Sequence, residues 1–197
     1  MDRVVIFGST GMTGICAVEA AVKKGLNVRA FVRDPSKLPD HLRNSVEVVQ
    51  GDVLEYKDVL NAVRNVTGVV AVLGTRNDLK PTTVLSDGIN NIVKAMKELN
   101  VEIISHFCST TQKKVPPVFK DLNADHQREF DILKVSGLKY IAVLPPHIAD
   151  QPASEYQIQH DKSPGRVVSK YDLGRFLIDS LIQPEHYGKV CGICTKQ

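Results

Sequence analysis

The stretch VVIFGSTGMTG, residues 4–14, decides the fold that this sequence predicts. A short apolar run ends at Phe7, and glycines follow at positions 8, 11 and 14, just ahead of a segment with helical periodicity. A glycine turn between a buried strand and a helix can bind the pyrophosphate of a dinucleotide, because backbone N–H groups and the helix N-terminus attract negative charge. The spacing is GxxGxxG and not the more common GxGxxG, so a purely structural glycine turn is the alternative.

The three glycines have separate expected roles. Gly8 permits the tight turn, Gly11 lets the backbone approach the pyrophosphate, and Gly14 lets the helix pack close to the strand. Met12, in the same loop, is counted with the cofactor-binding residues. The side-chain hydroxyls expected to donate to the phosphates are those of Ser9, Thr10 and Thr13.

The rest of the chain alternates short β-branched runs with longer amphipathic ones. This pattern predicts an α/β fold, a single-domain, Rossmann-like, doubly wound parallel sheet with helices on both faces, over residues 1–197. Strands are expected at RVVIFG, NVRAFVR, SVEVVQG, GVVAVLG, VEIISHFCS and KYIAVLP. Helices are expected over residues 13–24, 56–66, 82–99, 122–135 and 169–183, with loops over 111–121 and 145–165.

Composition narrows the class of protein. The 197 residues are 43% hydrophobic and 24% charged, which is ordinary globular usage, and the formal charge of +3 would help to attract a small anion. No stretch approaches the roughly 20 apolar residues of a membrane span, and no basic run with interleaved aromatics suggests nucleic acid. We therefore expect a cytoplasmic protein without membrane or nucleic-acid partners. The four cysteines lack framework spacing, which predicts reduced thiols, and no metal site is expected from the histidine spacing.

The end of the second predicted strand indicates which dinucleotide is bound. Arg33 lies 19 positions after Gly14, near the usual position of the residue that contacts the adenosine ribose. An acid there favours the free hydroxyl of NAD, whereas Arg33 with Lys37 favours the 2′-phosphate of NADP. The neighbouring Asp34 provides the alternative, in which it caps the next turn and Arg33 is simply solvated.

Two further strand ends carry candidate cofactor contacts. Asp52 and Val53 follow the third strand, where they are expected to meet the adenine, although Asp52 could instead cap a turn. Gly74 follows the fourth strand and would let the backbone approach the cofactor. Arg76, two residues later, could reach a phosphate or an anionic substrate.

Motifs along nearly the whole chain resemble one family. They are FGSTGMTG, VRDPSKLP, GDVL, LGTRNDLKPTTVLSDG, SGLKYIAVLPPHIADQP and RVVSKYDLGRF. The sequence resembles the biliverdin-IXβ reductases, also called NADPH-dependent flavin reductases, an atypical branch of the short-chain dehydrogenase/reductase superfamily. The resemblance implies a monomeric Rossmann protein that uses NADPH to reduce planar conjugated substrates, namely flavins such as FMN and riboflavin, and biliverdin-IXβ.

The resemblance also implies roles for individual positions. Ser109 would stand beside the nicotinamide as the active-site serine, and His147 would form part of the substrate wall, with proton donation as the alternative. Arg33 would contact the 2′-phosphate. The other cofactor-binding positions that it implies are Gly8, Thr10, Gly11, Thr13, Gly14, Asp52, Val53, Leu73, Gly74, Thr75, Arg76, Pro145, Pro146, His147 and Ile148.

Two departures bear on the chemistry. Ketoreductases of the superfamily carry a Lys four positions after the catalytic Tyr, and none of the five tyrosines here has one. This disfavours ketone chemistry and favours hydride transfer to a conjugated acceptor, whose developing charge is delocalised. The loop TTQKKVPP after Ser109 is shorter than the aromatic-containing loop of the family, which should reshape the pocket. A non-catalytic NADP(H)-binding redox sensor and a quinone or dye reductase are the alternative functions.

Overall fold

The computed structural model describes residues 1–75, 78, 80–108 and 119–196. Its strands are Arg3–Phe7 (β1), Asn27–Val32 (β2), Glu47–Gln50 (β3), Gly68–Ala71 (β4), Ile103–Phe107 (β5), Lys139–Leu144 (β6), His147–Ala149 (β7), Tyr156–His160 (β8), Val167–Ser169 (β9) and Lys189–Thr195 (β10). Its α-helices are Met12–Lys23 (α1), Asp40–Arg43 (α2), Tyr56–Val63 (α3), Val84–Glu98 (α4), Lys120–Val135 (α5) and Lys170–Asp179 (α6). Short 3₁₀ turns cover Pro35–Lys37, Ser180–Ile182 and Pro184–His186.

The main sheet has eight strands in the order β3-β2-β1-β4-β5-β6-β10-β8. Its neighbours pair in parallel except for β8, which runs antiparallel to β10 at the edge. Strands β7 and β9 form a separate parallel pair. The Rossmann-like, doubly wound α/β sheet that the sequence predicts is confirmed.

Strand β1 shows why the first apolar run is continuous. Val4 and Ile6 belong to the core cluster on the face covered by α1 and α6, whereas Val5 and Phe7 belong to the cluster on the opposite face. That opposite face is covered by α3, α4 and α5. A strand buried on both sides needs apolar residues at every position, which hides the alternation of a half-exposed strand.

The six predicted strands and the five predicted helices are present, but four strands were missed. Residues 145–165, predicted as loop, contain β7 and β8; the other two missed strands are β9, just before α6, and β10, after the 3₁₀ turns. Strand β8 alternates half-buried and exposed positions along an edge, and polar residues flank it. Its pairing with β10 is a long-range contact, so the local sequence pattern gives little sign of it.

The strand order also locates the crevice in which such sheets bind ligands. Strand β1 lies between β2 and β4, so the winding of the chain reverses there, and ligands bind outside the carboxyl ends of strands at that point. The glycine turn follows β1 directly. None of the helices in the described part of the chain is both long enough and apolar enough to span a membrane.

Candidate functional site

The glycine turn after β1 is held by packing that tolerates no side chain at two of its positions. Gly8 has a φ of +82°, and a Cβ there would overlap the carbonyl oxygen of Val72. A Cβ on Gly14 would overlap the carbonyl oxygen of Gly8. The expected turn and helix-packing roles of these two glycines are therefore confirmed in the geometry.

Gly11 differs from the other two glycines. A Cβ at position 11 would lie 3.3 Å from the carbonyl oxygen of Gly8, a tight distance that small shifts could relieve. Its N–H donates to that same carbonyl oxygen at 3.0 Å, which closes the turn. The protein interior alone does not demand a glycine here, in keeping with the prediction that an outside group approaches the loop at this point.

Helix α1 begins without the usual cap. Gly11 occupies the N-cap position, where it has no side chain to accept the first N–H groups, and the first turn contains no acidic residue. These N–H groups and the positive end of the helix dipole suit a phosphate. The turn and the helix start thus fit the pyrophosphate of a dinucleotide.

The side chains of the glycine turn differ in whether they are free to contact a cofactor or already bonded within the protein. Ser9 is fully buried and donates its hydroxyl to the carbonyl oxygen of Ile6 at 2.5 Å, so its expected role as a phosphate donor is wrong. Thr10 is half-buried, Thr13 is almost fully buried, and Met12 is about half exposed on the first turn of the helix. Thr10, Thr13 and Met12 remain predicted contacts.

The end of β2 separates the two candidate ribose residues. The carboxylate of Asp34 accepts the N–H of Ser36 at 3.0 Å and its hydroxyl at 2.6 Å, which caps the following turn. The hydroxyl of Ser36 is the main reason that the pKa of Asp34 lies below its usual value. Lys37 Nζ lies 3.8 Å from the same carboxylate, whereas the Arg33 side chain is exposed. The turn cap by Asp34 and the exposed Arg33 are what the alternative interpretation expects, and contact of Arg33 with a 2′-phosphate stays a prediction.

The loop after β3 is fixed by hydrogen bonds at both ends. Asp52 Oδ1 accepts the N–H of Leu54 at 3.0 Å, so its turn-capping role is present, and Asp58 accepts the N–H of Asp52 at 3.0 Å. Asn91 on α4 donates to the carbonyl oxygens of Val53 and Leu54, each at 3.0 Å. The contact of Asp52 and Val53 with adenine stays a prediction.

Val53 and Leu73 come together over one glycine of α4. A Cβ on Gly88 would lie 3.0 Å from Cγ1 of Val53 and 3.0 Å from Cδ1 of Leu73, so both side chains rest on the bare helix backbone. These two predicted cofactor residues thus border one apolar surface between the ends of β3 and β4. The chain pattern offered no signal that singled out Gly88 or Asn91.

The loop after β4 is open at Gly74. A Cβ there would meet nothing within 4 Å in the described structure, and the residue is exposed. Thr75 donates its hydroxyl to the carbonyl oxygen of Asp78 at 2.6 Å, which closes a small turn. Arg76, predicted to contact a phosphate or a substrate, lies outside the described residues.

A buried acid on α5 caps the start of α4. The Asp125 side chain is fully buried and accepts the N–H of Leu85 at 2.9 Å and the hydroxyl of Ser86 at 2.5 Å. Arg128 donates to the same carboxylate at 3.0 Å and to the carbonyl oxygen of Thr82 at 2.7 Å. Asp125 therefore ties the loop after β4 to α5, a role that sequence reasoning missed.

A second buried cluster lies beside β5. Glu129 Oε2 on α5 is 2.7 Å from Nδ1 of His126 and 3.6 Å from Nε2 of His106. Burial alone would raise the pKa of Glu129, but the charge of nearby His106 and the hydrogen bond with His126 outweigh burial and hold this pKa below its usual value. The cluster joins α5 to the strand that leads to Ser109.

The predicted substrate wall lies at the carboxyl end of β6. Pro145 and Pro146 are half-buried, and His147 opens β7 with an exposed side chain while its N–H donates to the carbonyl oxygen of Arg166 at 3.2 Å. Ile148, also half-buried, pairs with Val168 of β9. The short β7–β9 sheet thus holds the predicted wall.

Ser109, the predicted active-site serine, lies outside the described residues. The residue before it, Cys108, is buried and donates its N–H to the carbonyl oxygen of Val143 at 2.8 Å. Cys108 therefore lies beside the carboxyl end of β6, next to the segment that carries the predicted wall.

A glycine turn that opens an uncapped helix at the switch point of a doubly wound sheet defines the dinucleotide-binding class of α/β proteins. The model of the NAD(P)H-binding family matches residues 8–184, and the chain belongs to this family. The predicted use of a nicotinamide dinucleotide is confirmed at that level.

Comparisons with individual proteins agree with this class. The chain is 27% identical over 105 residues to an oxidoreductase from Pestalotiopsis microspora, a match that covers 50% of this chain and 40% of the longer fungal protein. A solved structure assigned as an NADH-flavin reductase from Streptococcus pneumoniae superposes with a TM-score of 0.83 at 16% identity, over 100% of both chains. ChuY, an anaerobilin reductase from Escherichia coli O157:H7, superposes with a TM-score of 0.82 at 15% identity, over 99% of this chain and 98% of its own. At these identities the two structures show a shared fold.

Proposed function

We propose that the protein is an NADPH-dependent reductase of flavins such as FMN and riboflavin, with biliverdin-IXβ as a second substrate. The observation that carries the proposal is the glycine turn with the uncapped start of α1 at the switch point, in a sequence that lacks the Tyr–Lys spacing of ketoreductases. When bound, NADPH supplies the hydride from its nicotinamide ring.

Three of the five tyrosine hydroxyls donate to structural partners, and a fourth tyrosine packs through its ring. Tyr56 donates to Glu98 at 2.5 Å, Tyr156 to Asp179 at 2.8 Å, and Tyr187 to the carbonyl oxygen of Leu181 at 2.9 Å. Burial, together with Asp179, raises the pKa of Tyr156 well above its usual value, which makes it a poorer acid. The Tyr140 ring lies edge-on to Phe130, with ring centroids 6.4 Å apart.

The fifth tyrosine, Tyr171, lies beside Lys170, whose Nζ is 5.0 Å from the ring centroid and 2.9 Å from Asp150 Oδ1. The Tyr–Lys spacing of ketoreductases is absent from the sequence. A conjugated acceptor suits such a site, because its delocalised charge allows solvent to complete protonation. The observations therefore favour flavins over simple ketones.

The preference for NADPH rests on Arg33. Its guanidinium can donate two parallel hydrogen bonds to the 2′-phosphate, while Asp34 next to it stays bound to Ser36. The uncapped N–H groups of α1 bind the pyrophosphate, and Lys37 adds positive charge. The apolar surface of Val53 and Leu73 contacts the adenosine half.

The substrate half of the site orients a planar ring. Pro145, Pro146 and Ile148 form an apolar wall, and exposed His147 donates or accepts a hydrogen bond at its rim. Ser109 orients the nicotinamide or the substrate by hydrogen bonding and is not a nucleophile. Holding two reactants in register can supply about 7–11 kcal/mol of the barrier, which leaves little need for acid catalysis.

The comparisons support the same chemical class. Two of the structural neighbours carry the names of an NADH-flavin reductase and an anaerobilin reductase. These names describe the reduction of a flavin with NADH and the reduction of anaerobilin.

The deciding experiment is NADPH oxidation by the purified protein with FMN, riboflavin and biliverdin-IXβ offered separately and NADH run in parallel. We expect acceptor-dependent oxidation that prefers NADPH, and NADPH binding is measured in the same samples by nucleotide fluorescence. Tight NADPH binding without NADPH oxidation in the presence of any acceptor would contradict the reductase and favour a redox sensor. Turnover with simple quinones alone would replace it by a quinone reductase.

A variant tests the role of Ser109. Ser109→Ala should lower the turnover number at saturating NADPH while leaving the NADPH dissociation constant within about twofold, because it orients reacting groups and does not carry cofactor affinity. Ser45→Ala, which removes an exposed hydroxyl near α2, is the control. An unchanged turnover number in Ser109→Ala would contradict the proposed role of Ser109 in orienting the reacting groups.

A further inference from the structure

Three potential metal ligands meet at the β8 edge of the main sheet. His160 ends β8, His186 lies in the turn Pro184–His186, and Cys191 lies in β10. His160 Nε2 lies 2.9 Å from His186 Nδ1, and one ligand atom from each of the three residues lies within 4.8 Å of the other two. His186 lies 26 positions after His160, and Cys191 lies 5 positions after His186, so the spacing in the sequence did not predict that the three side chains lie together.

The surrounding structure holds these side chains in place. Cys191 stands directly opposite His160 in the antiparallel pairing of β10 with β8, and it is fully buried. The His186 ring packs edge-on against Phe176 and against His160, with centroid distances of 5.3 and 5.2 Å. Both histidines are partly buried, so the cluster is supported on its inner side and reachable from its outer side.

We propose that His160, His186 and Cys191 form a zinc site with water as the fourth ligand. Zinc takes imidazole nitrogen at about 2.0 Å and thiolate sulfur at about 2.3 Å, so two nitrogens of a tetrahedral site lie roughly 3.3 Å apart. The observed nitrogen separation of 2.9 Å is a few tenths of an ångström from that spacing. Two imidazoles and a soft thiolate favour zinc over Mg²⁺ or Ca²⁺, which prefer oxygen ligands.

The protons balance on binding. Without metal, one of the two facing ring nitrogens carries the hydrogen that they share; when zinc binds, that imidazole becomes the other neutral tautomer. Cys191 then binds as the thiolate and releases one proton to solvent. Burial, with Asp161 nearby, raises the pKa of Cys191 to about 12, and burial lowers the pKa of His186. Forming a thiolate at a buried position is costly, and the charge of a dication offsets that cost.

The site is separate from the dinucleotide cradle and does not rest on the proposed function. Strand β10 is four strands away from β1, roughly 19 Å across the sheet at the usual spacing. Zinc there would connect the edge strand β8 to β10 and to the turn after α6. Its expected effect is on stability, since the edge strand is the part of the sheet held on one side only.

The test uses the untagged full chain, stripped with a chelator and titrated with Co²⁺ as a spectroscopic probe. We expect a thiolate-to-cobalt charge-transfer band, intense visible bands of tetrahedral cobalt, and stoichiometric displacement by Zn²⁺. Added Zn²⁺ should raise the thermal midpoint above that of the chelator-treated protein. Absence of the thiolate band in the wild-type chain would overturn the proposal.

Matched variants identify the ligands. Cys191→Ser should abolish the thiolate band, and His160→Gln, at a partly exposed position, should weaken Zn²⁺ binding by more than about tenfold. Cys194→Ser on the same strand and His41→Gln on the surface should bind Co²⁺ like the wild type, with circular dichroism confirming that each variant is folded. A thiolate band that survives Cys191→Ser, or that Cys194→Ser abolishes, would contradict the assignment.

Discussion

A Cβ on Gly14 would overlap the carbonyl oxygen of Gly8, because the turn after β1 brings these two residues into direct contact. The same carbonyl oxygen accepts the N–H of Gly11 at 3.0 Å, and the turn is therefore closed around a single acceptor. This contact holds the first turn of α1 against the end of β1. The free N–H groups that suit a phosphate are positioned by packing and not by a side-chain cap.

Gly14→Ala should destabilise the protein by about 2 kcal/mol or more, because the helix must move away from the strand to relieve the overlap. Urea unfolding measures the change. Gly74→Ala is the matched control, since a Cβ there meets nothing within 4 Å, and we expect its free energy of unfolding to change by less than about 0.5 kcal/mol. Wild-type stability in Gly14→Ala would contradict the packing argument.

Arg33→Ala should weaken NADPH binding by about 10- to 100-fold and leave NADH binding nearly unchanged. The lost interaction is a charge-assisted hydrogen bond to the 2′-phosphate, which NADH lacks. Titration calorimetry with both nucleotides measures the ratio. Lys97→Ala removes an exposed cation from the last turn of α4 and serves as the control for net charge. Equal losses of affinity for NADPH and NADH would show that Arg33 does not contact the 2′-phosphate.

Asp125→Asn should cost about 2 kcal/mol of stability, because the buried carboxylate that accepts the N–H of Leu85 becomes an amide with one acceptor oxygen. NADPH affinity should fall as well, since α4 carries Gly88 and Asn91 against the loop after β3. Urea unfolding and NADPH titration measure the two effects. Asp131→Asn, which changes an exposed acid on the same helix, should alter stability by less than about 0.5 kcal/mol. If Asp125→Asn and Asp131→Asn changed the free energy of unfolding equally, a capping role for Asp125 would be contradicted.

Stability should fall in alkali as the buried Cys16 thiol ionises. Burial, and secondarily the charge of Glu19, raises the pKa of this thiol from its usual 9.0 to about 11 in the folded protein. Because the pKa is higher in the folded than in the unfolded protein, the thiol contributes stability that is fully present below about pH 9. This contribution falls as the pH rises towards 11, by about 1.4 kcal/mol per pH unit. Urea unfolding across this range should give a smaller loss for Cys16→Val than for the wild type.

Val18→Ala, a buried apolar change on the same helix, controls for packing in this experiment. It should lower stability at every pH without changing the slope between neutral pH and alkali. An identical alkaline slope in Cys16→Val and the wild type would mean that Cys16 does not ionise in this range.

The parts of the fold that follow from local pattern were predictable. The run from Val4 to Phe7 and the glycines after it predict a buried strand, a turn and a helix because each is stabilised by neighbours within a few residues. Arg33 and Asp34 show the limit of that reasoning. Their order along the chain left both interpretations open. The structure shows the Asp34 cap that the alternative expects, and the contact of Arg33 with the 2′-phosphate stays a prediction.

Contacts between distant segments were beyond that reasoning. Asp125 caps α4 by accepting the N–H of Leu85, 40 residues earlier, and β8 is recognised as a strand mainly through its pairing with β10. Ser9 failed as a phosphate donor for a related reason, since the turn rotates its hydroxyl inward to Ile6.

The sequence by itself determined that the chain forms a doubly wound sheet with a glycine turn for a dinucleotide. The reason is that buried strands require consecutive apolar residues and a tight turn requires glycines, and both are local features of the sequence. Only the tertiary structure decided which polar groups are occupied and which chemically active side chains meet. Asp125 with Leu85, Glu129 with two histidines, and His160 with His186 and Cys191 come together through sheet order and helix packing. Those contacts are made across distances along the chain that no short-range pattern records.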